Sequence, residues 1–271
     1  MNIQTQVKNT IDKYKICDKK EKILVAMSGG KDSTVVAYLL HKLGYNIQGL
    51  YINLGLGHYS ERCEKAIKQL CEDLGIKLHI YNFNKKHGSS MCYLRTAIQS
   101  KKSLKNCAIC GVIKKWILNK EARRLKVNKI ATGHHLDDEA QTFFLNILKG
   151  SPQLSANTGT ITRNKSDKKF IPRIKPLFYV LEEDIRKFSK KQKLPIVYES
   201  CPCAIDSYRI QIRKLFKTFS EKDKKNIIKN FDKVKGNIKK SKLKIKYCQL
   251  CGEPARKNIC KRCELLKING Y

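Results

Sequence analysis

Acidic residues are scarce in this 271-residue chain: 23 Asp and Glu stand against 57 Lys and Arg, a formal charge of +34. A surplus of that size repels itself in the compact state and attracts polyanions. It argues against an acidic, self-contained metabolic enzyme and for nucleic acid or an anionic membrane surface as partner. Lys, Ile and Asn are abundant together, as in proteins of AT-rich genomes, so coding bias also feeds the charge. Long hydrophobic runs are absent. No apolar stretch approaches the roughly 20 residues of a membrane span, and the opening MNIQTQVKNTIDKYKICDKKEK has no apolar signal core. A soluble cytoplasmic protein with no membrane partner is expected. There is no internal repeat and no G-x-x-x-x-G-K loop, so a Walker-type phosphate site is excluded. At 41% hydrophobic residues the chain has enough to form a core, which excludes wholesale disorder.

What is present is alternation. EKILVAM, NIQGLYINL, KLHIYNF and VNKIATGHH read as strands, and helical patterns lie between them. This order predicts an α/β fold with a parallel sheet covered on both faces and ligands at the carboxyl ends of its strands. Residues 1–21 read as an N-terminal helical segment and 22–205 as the α/β domain. Within that domain HGSSMCYLRTAIQSKKSLKN reads as a looser segment, 107–125 as a long helix, and 151–169 as an irregular loop suited to a lid. FIPRIKPLFYV reads as an extended edge segment, and IVYESCPCA returns toward the sheet. Residues 206–246 carry fifteen Lys or Arg against four Asp or Glu on amphipathic helical patterns, a basic extension suited to tracking phosphates. Residues 247–271 form a separate cysteine module.

Twelve cysteines in an intracellular chain point to metal or redox chemistry rather than disulfides. Cys248-x2-Cys251-x8-Cys260-x2-Cys263 has the spacing of a tetrahedral zinc site, in a module too poor in apolar residues to pack without metal. Arg256, Lys257, Lys261 and Arg262 lie within it and suggest a surface for phosphate. Cys107 and Cys110 open a helix, where the dipole favours thiolate and i, i+3 spacing puts both sulfurs on one face. Lys114 falls on the same face. Alone this pair could be a redox disulfide or core thiols, but Cys201 and Cys203 downstream offer a third sulfur. Three thiolates suit an iron–sulfur cluster with one open iron better than a closed zinc site.

Ser28-Gly29-Gly30-Lys31-Asp32-Ser33 ends an apolar strand and opens a helix, where glycines let backbone N–H groups curl around an anion. In that context SGGKDS resembles the PP-loop of the ATP pyrophosphatases, which cut ATP between its α and β phosphates; a Gly-rich turn is the plain alternative. Further on, Thr132-Gly133-His134-His135-Leu136-Asp137-Asp138-Glu139 places a glycine at a strand end and three carboxylates in a helix's first turn. Capping explains one or two of these acids. The surplus suits Mg²⁺ or the orientation of an activated base. The histidines read as structural.

Taken together, SGGKDS, CAICG, TGHHLDDEAQT, ESCPCA and CQLCG…CKRC resemble the tRNA 2-thiouridine synthetase family, nearest its TtuA-like branch and the wobble-uridine thiolases. The resemblance runs from about Lys22 to Asn269. It implies a PP-loop ATP pyrophosphatase domain, of the adenine nucleotide alpha hydrolase-like type, that binds ATP and Mg²⁺. It further implies a [4Fe-4S] cluster, tRNA as substrate, and a sulfur donor that is either a ubiquitin-like thiocarboxylate protein or sulfide; a homodimer is compatible with it. Residue by residue, Cys107, Cys110 and Cys201 match the cluster ligands, and Lys114 and Asp138 the catalytic lysine and aspartate. Ser28, Gly29, Gly30, Lys31, Asp32, Ser33 and Gly133 match nucleotide contacts, with Ile52 a weaker match for an adenine contact. The implied reaction adenylates a uridine C2 oxygen and replaces it with sulfur, releasing pyrophosphate and AMP. The chain departs from the pattern in having Cys17 alone near its N-terminus, where relatives carry two more Cys pairs, and in having Cys203 two residues from Cys201. The competing readings are another PP-loop ligase, such as a lysidine synthetase, and a non-catalytic basic RNA-binding or redox-sensing protein.

Overall fold

Helix α1 (Ile3–Tyr14) opens the computed structural model, which describes residues 2–162, 167, 169–204, 209–238 and 245–267. Asn2 caps it by accepting from the Gln4 N–H, and Ile3, Val7 and Ile11 turn its apolar face into the core. Strand β1 (Ile23–Met27), α2 (Lys31–Lys42), β2 (Ile47–Asn53), α3 (His58–Asp73) and β3 (Leu78–Asn82) then follow the alternation expected from sequence. Next come α4 (Phe83–His87), α5 (Met91–Gln99), α6 (Asn106–Arg124), β4 (Lys129–Ala131) and α7 (Leu136–Leu148). A 3-10 turn at Pro152–Asn157 leads to β5 (Ile161–Thr162) and β6 (Arg173–Ile174), followed by α8 (Glu182–Lys191), α9 (Arg209–Lys217) and α10 (Glu221–Val234). A hairpin of β7 (Lys246–Tyr247) and β8 (Pro254–Ala255) and the helix α11 (Lys261–Lys267) make up the C-terminal module.

The main sheet has the order β3-β2-β1-β4-β6-β5, parallel throughout except that β5 runs against β6. Its order reverses between β1 and β4, and at such a reversal the crevice beyond the strand ends is open to a ligand. β1 sits at the centre, and its side chains alternate between two cores. Ile23, Val25 and Met27 face α1, α2, α3 and α8, while Leu24 faces α5 and α6. A third cluster joins Leu136, Ala140 and Leu145 of α7 to Ile212 and Phe216 of α9 and Ile228 and Phe231 of α10. Each fully buried side chain of this kind contributes about 1.5–3 kcal/mol. The basic extension is thus held to the α/β core by its apolar face, with Lys224 turned inward to Asp137.

Three expectations change. The segment read as loose contains α5: Ser90 caps it by accepting from the Tyr93 N–H, and Met91, Leu94 and Ile98 are buried. Glycine and serine on both flanks disguise a helix whose stability comes from that packing. FIPRIKPLFYV does not lie at an edge, because β6 is enclosed by β4 and β5, with the Ile130 N–H donating to Pro172 O at 2.9 Å. The edge strand comes instead from the region read as an irregular loop, where Ser155 is fully buried and Ile161–Thr162 pair with β6. Within that region, residues 163–166 and 168 lie outside the described residues, as do 205–208 at the start of the basic extension and 239–244 near its end.

Candidate active site

The carboxyl ends of β1, β2 and β4 meet α3, α6 and β6 around a cavity of about 250 Å³. Ser28 from the end of β1, Ile52 from β2, Lys114 from α6 and Cys201 from beyond α8 all line it, so four residues singled out separately in the sequence share one space. Leu50, Leu54 and Leu118 supply an apolar wall against which a planar base can lie. His134 and Arg173 border it as well.

The phosphate loop closes one end. Gly29 has φ +79°, and a Cβ added there would lie 2.8 Å from Cys63 Cβ, so both backbone and space demand glycine. The Ser28 N–H donates to Ser33 Oγ at 3.1 Å, the Ser33 hydroxyl donates to Gly30 O at 3.2 Å, and the Val197 N–H donates to Gly29 O at 2.9 Å. No side chain caps α2, which leaves its first-turn N–H groups to an anion. Lys31 is engaged within the protein: its Nζ lies 3.0 Å from Asp32 Oδ1 and 2.8 Å from Glu182 Oε1. Burial works against its charge, yet Asp32 and Glu182 outweigh burial and hold its pKa above the usual 10.5. A phosphate arriving at the loop would compete with Glu182 for this ammonium.

Gly133 stands behind the loop and outside the cavity lining. A Cβ there would come within 2.7 Å of Asp32 C and Ser33 N, so β4 and the phosphate loop touch through backbone alone. The resemblance implies a nucleotide contact for Gly133; its place in the fold is that of a spacer that lets two strand ends converge.

The three carboxylates of α7 serve as tertiary ties more than as caps, and none caps the helix by side chain. Asp137 accepts the Glu182 N–H at 2.8 Å and faces Lys224 Nζ at 3.0 Å, while Glu139 meets Lys175 Nζ at 2.5 Å. Asp138 Oδ2 lies 3.3 Å from His135 Nε2, and its Oδ1 is 3.3 Å from Arg209 Nη1. His135, only 3% exposed, also brings Nε2 within 3.8 Å of Asp32 Oδ1, so one buried imidazole links Asp138 to the phosphate loop. Burial opposes the charge of Asp138, but His135, His134, Arg209 and Arg213 together hold its pKa below 3.8. His135 had no functional signal in sequence, because its neighbours Asp32 and Asp138 lie on different elements.

On the cysteine side, Cys107 and Cys110 sit in the first turn of α6. The thiols of Cys201 and Cys107 bear on Cys110, and Lys114 draws both Cys110 and Cys201 toward thiolate. Burial outweighs these attractions and pushes Cys110 and Cys201 up. The donor set is three soft thiols with no carboxylate or imidazole among them. Three thiols suit an iron–sulfur cluster with one iron left open. Cys201 lines the cavity, whereas Cys203 sits against the guanidinium of Arg95.

The C-terminal quartet is compact. Ligand atoms of Cys248, Cys251, Cys260 and Cys263 lie within 4.8 Å of one another, with Cys251 Sγ and Cys260 Sγ 3.6 Å apart. A tetrahedral zinc with Zn–S bonds of about 2.3 Å sets its sulfurs roughly 3.8 Å apart, so the quartet fits zinc. Gly252, at φ +65°, makes the turn after the second ligand. Burial opposes thiolate at Cys248, but backbone N–H groups of Cys260, Cys251 and Leu250 outweigh it and bring the thiol down to about 6.

Between α6 and this module runs a groove of about 510 Å³ lined by Trp116, Phe170 and six cations: Lys115, Arg173, Arg256, Lys257, Lys261 and Arg262. Its acids are already paired, Glu253 with Arg123 and Glu264 with Lys102 and with the groove's own Lys261. Arg262 lies over Trp116 with its guanidinium carbon 4.2 Å from the ring centroid. Lys115 and Arg173 border both groove and cavity. Burial, with Arg173 and Arg209 beside it, lowers the pKa of Lys115. Sequence reasoning missed these two, because nothing local marks a lysine or arginine whose partner is another cation across a sheet end. Among the described residues no helix is long and apolar enough to cross a membrane.

The model of a PP-loop domain family matches residues 1–218. A tRNA-5-methyluridine(54) 2-sulfurtransferase of Pyrococcus horikoshii is 36% identical over 96% of this chain and 83% of its own. Cytoplasmic tRNA 2-thiolation protein 1 of Caenorhabditis elegans is 29% identical over 98% of this chain and 72% of its own. The structure of the U34-tRNA thiolase NcsA from Methanococcus maripaludis with its [4Fe-4S] cluster superposes with a TM-score of 0.79. That match has 26% identity and covers 98% of this chain and 86% of the thiolase.

Proposed function

Because the chain belongs to the PP-loop family, in the company of the tRNA 2-sulfurtransferases, we propose that it is an ATP-dependent tRNA sulfurtransferase that exchanges the C2 oxygen of a tRNA uridine for sulfur. The observation that carries this reading is the single cavity lined by Ser28 of the phosphate loop, Lys114 and Cys201. A nucleotide-cleaving loop and a sulfur ligand have no reason to share a space unless activation and sulfur delivery act on one atom. ATP lies with its base against the apolar wall beside Ile52 and its phosphates toward the first turn of α2. The uridine O2 attacks the α-phosphorus, pyrophosphate leaves into the loop, and Lys114 offsets the charge that builds on the phosphate. Sulfur then attacks C2 and AMP departs.

Cys107, Cys110 and Cys201 would hold a [4Fe-4S] cluster with one open iron, which when bound supplies the sulfur to be transferred. Asp32 and Asp138, joined through His135 beside the phosphate loop, are the carboxylates placed to hold Mg²⁺ near the phosphates, where the ion would displace their contacts to Lys31 and Arg209. The tRNA enters along the cationic groove beside the zinc module, where Lys115 and Arg173 hand it on to the cavity.

The test is metal content and product on protein purified without oxygen. About four irons per chain, one zinc in the quartet and a 2-thiolated nucleoside formed from tRNA, ATP and sulfide are expected. Protein that stays iron-free after anaerobic reconstitution yet modifies tRNA would overturn the cluster assignment and favour a ligase such as lysidine synthetase. Protein that binds tRNA without consuming ATP would overturn the enzyme reading.

A further inference from the structure

Arg95 is the least expected side chain near the cysteines. It sits on α5, is 7% exposed, and has no carboxylate partner among the described residues. Its Nη2 donates to Cys92 Sγ at 3.1 Å, while Nε and Nη1 are buried with no hydrogen-bond partner. Burial opposes its charge, but the sulfurs of Cys203 first, then Cys110 and Cys92, outweigh burial and hold its pKa above the usual value. Two buried N–H donors without acceptors are unfavourable. Acceptors that would take them up lie on the cysteine side, where Cys110 is a candidate cluster ligand.

We propose that Arg95 is the counter-cation of the cysteine site: its two free donors hydrogen-bond the negatively charged sulfurs of a cluster carried by Cys107, Cys110 and Cys201, fixing that cluster in place and setting its charge. This rests on the cluster reading above. Arg95 does not line the cavity and is a positioning residue. The guanidinium fork suits it to two sulfur acceptors at once, which the point charge of a lysine does not match. A cation hydrogen-bonded to cluster sulfur favours the more negative, reduced state and so raises the reduction potential. In the metal-free protein these two donors go unmatched.

The experiment compares wild type with Arg95→Met and Arg95→Lys, each metal-free and anaerobically reconstituted. Arg95→Met is expected to melt no lower than wild type when metal-free, because two unmatched buried donors have gone. When reconstituted it should lose iron to a chelator about 10–100-fold faster, the usual effect of removing an outer partner of a metal site, and titrate at a lower midpoint potential. Arg95→Lys should keep much of the potential but little of the retention. A purely packing role would instead destabilise metal-free Arg95→Met and leave the potential unchanged; that pattern overturns the proposal. If Arg95→Met fails to fold, the lysine variant decides: iron loss and potential both equal to wild type would overturn it. Wild type that takes up no iron would overturn the cluster reading and this proposal with it, whereas a loaded wild type with unaffected variants overturns this proposal alone.

Discussion

Replacing Gly133 by alanine tests whether the phosphate loop is held by direct backbone contact with the end of β4. The new Cβ would lie 2.7 Å from Asp32 C and Ser33 N and 2.9 Å from Asp32 Cβ. Carbon contacts settle near 3.5–4.0 Å, so the two strand ends must part by roughly 1 Å. The atoms in the way are backbone, and no rotamer change relieves them. Overpacking of this kind costs about 1–3 kcal/mol, and a shift of about 1 Å beside the chemistry costs about 10²-fold in rate. The expected result is a folded protein with a modestly lower melting temperature, weaker ATP binding and thiolation reduced about a hundredfold. Gly236→Ala is the control, since nothing lies within 4 Å of an added Cβ there, and a change within about 0.5 kcal/mol is expected. The assays are thermal denaturation, calorimetric titration with ATP, and thiolated nucleoside by mass spectrometry. A Gly133→Ala protein that binds ATP and thiolates within a few-fold of wild type would refute the idea that this contact sets the loop.

Lys114 lines the cavity and is exposed, so Lys114→Met should fold and bind tRNA normally while thiolation falls about 10²–10³-fold, the usual loss for one transition-state donor; near-normal turnover would remove Lys114 from the chemistry. Trp116 is the only tryptophan and lies under Arg262 beside the cysteine quartet. Chelation of the quartet's metal should shift its emission to the red and free Leu265, 1% exposed, from the core, a loss of about 1.5–3 kcal/mol; unchanged emission after proven metal loss would mean that the module holds its place without metal.

Features whose meaning lies within a few residues were legible from the chain alone. The SGGKDS turn, the two CxxC knuckles with Gly252 in the left-handed region, and the Cys107–Cys110–Lys114 face of α6 are local, because loop and helix geometry bring their atoms together whatever the rest does. The alternation of strands and helices predicted the parallel sheet for the same reason: burial on both faces needs apolar runs at strand length. Short-range reasoning failed where packing overrides flanks, as at α5, and where pairing partners decide rank, as with β6 enclosed by an edge strand drawn from an apparent loop.

Tertiary structure alone decided how the charges are spent. Three adjacent carboxylates, alike in sequence, part company because Lys224, Lys175 and Arg209 reach Asp137, Glu139 and Asp138 from different elements. Lys31 is paired across the fold with Glu182, and Lys115 and Arg173 face each other at the join of cavity and groove. Arg95 had no signal at all, since nothing in a helix pattern tells that a guanidinium will be buried beside three thiols. Electrostatic roles follow distance and burial, and both are set by which elements the sheet brings to one edge. The sequence determined the inventory of groups and their local shapes; the fold determined which of them meet.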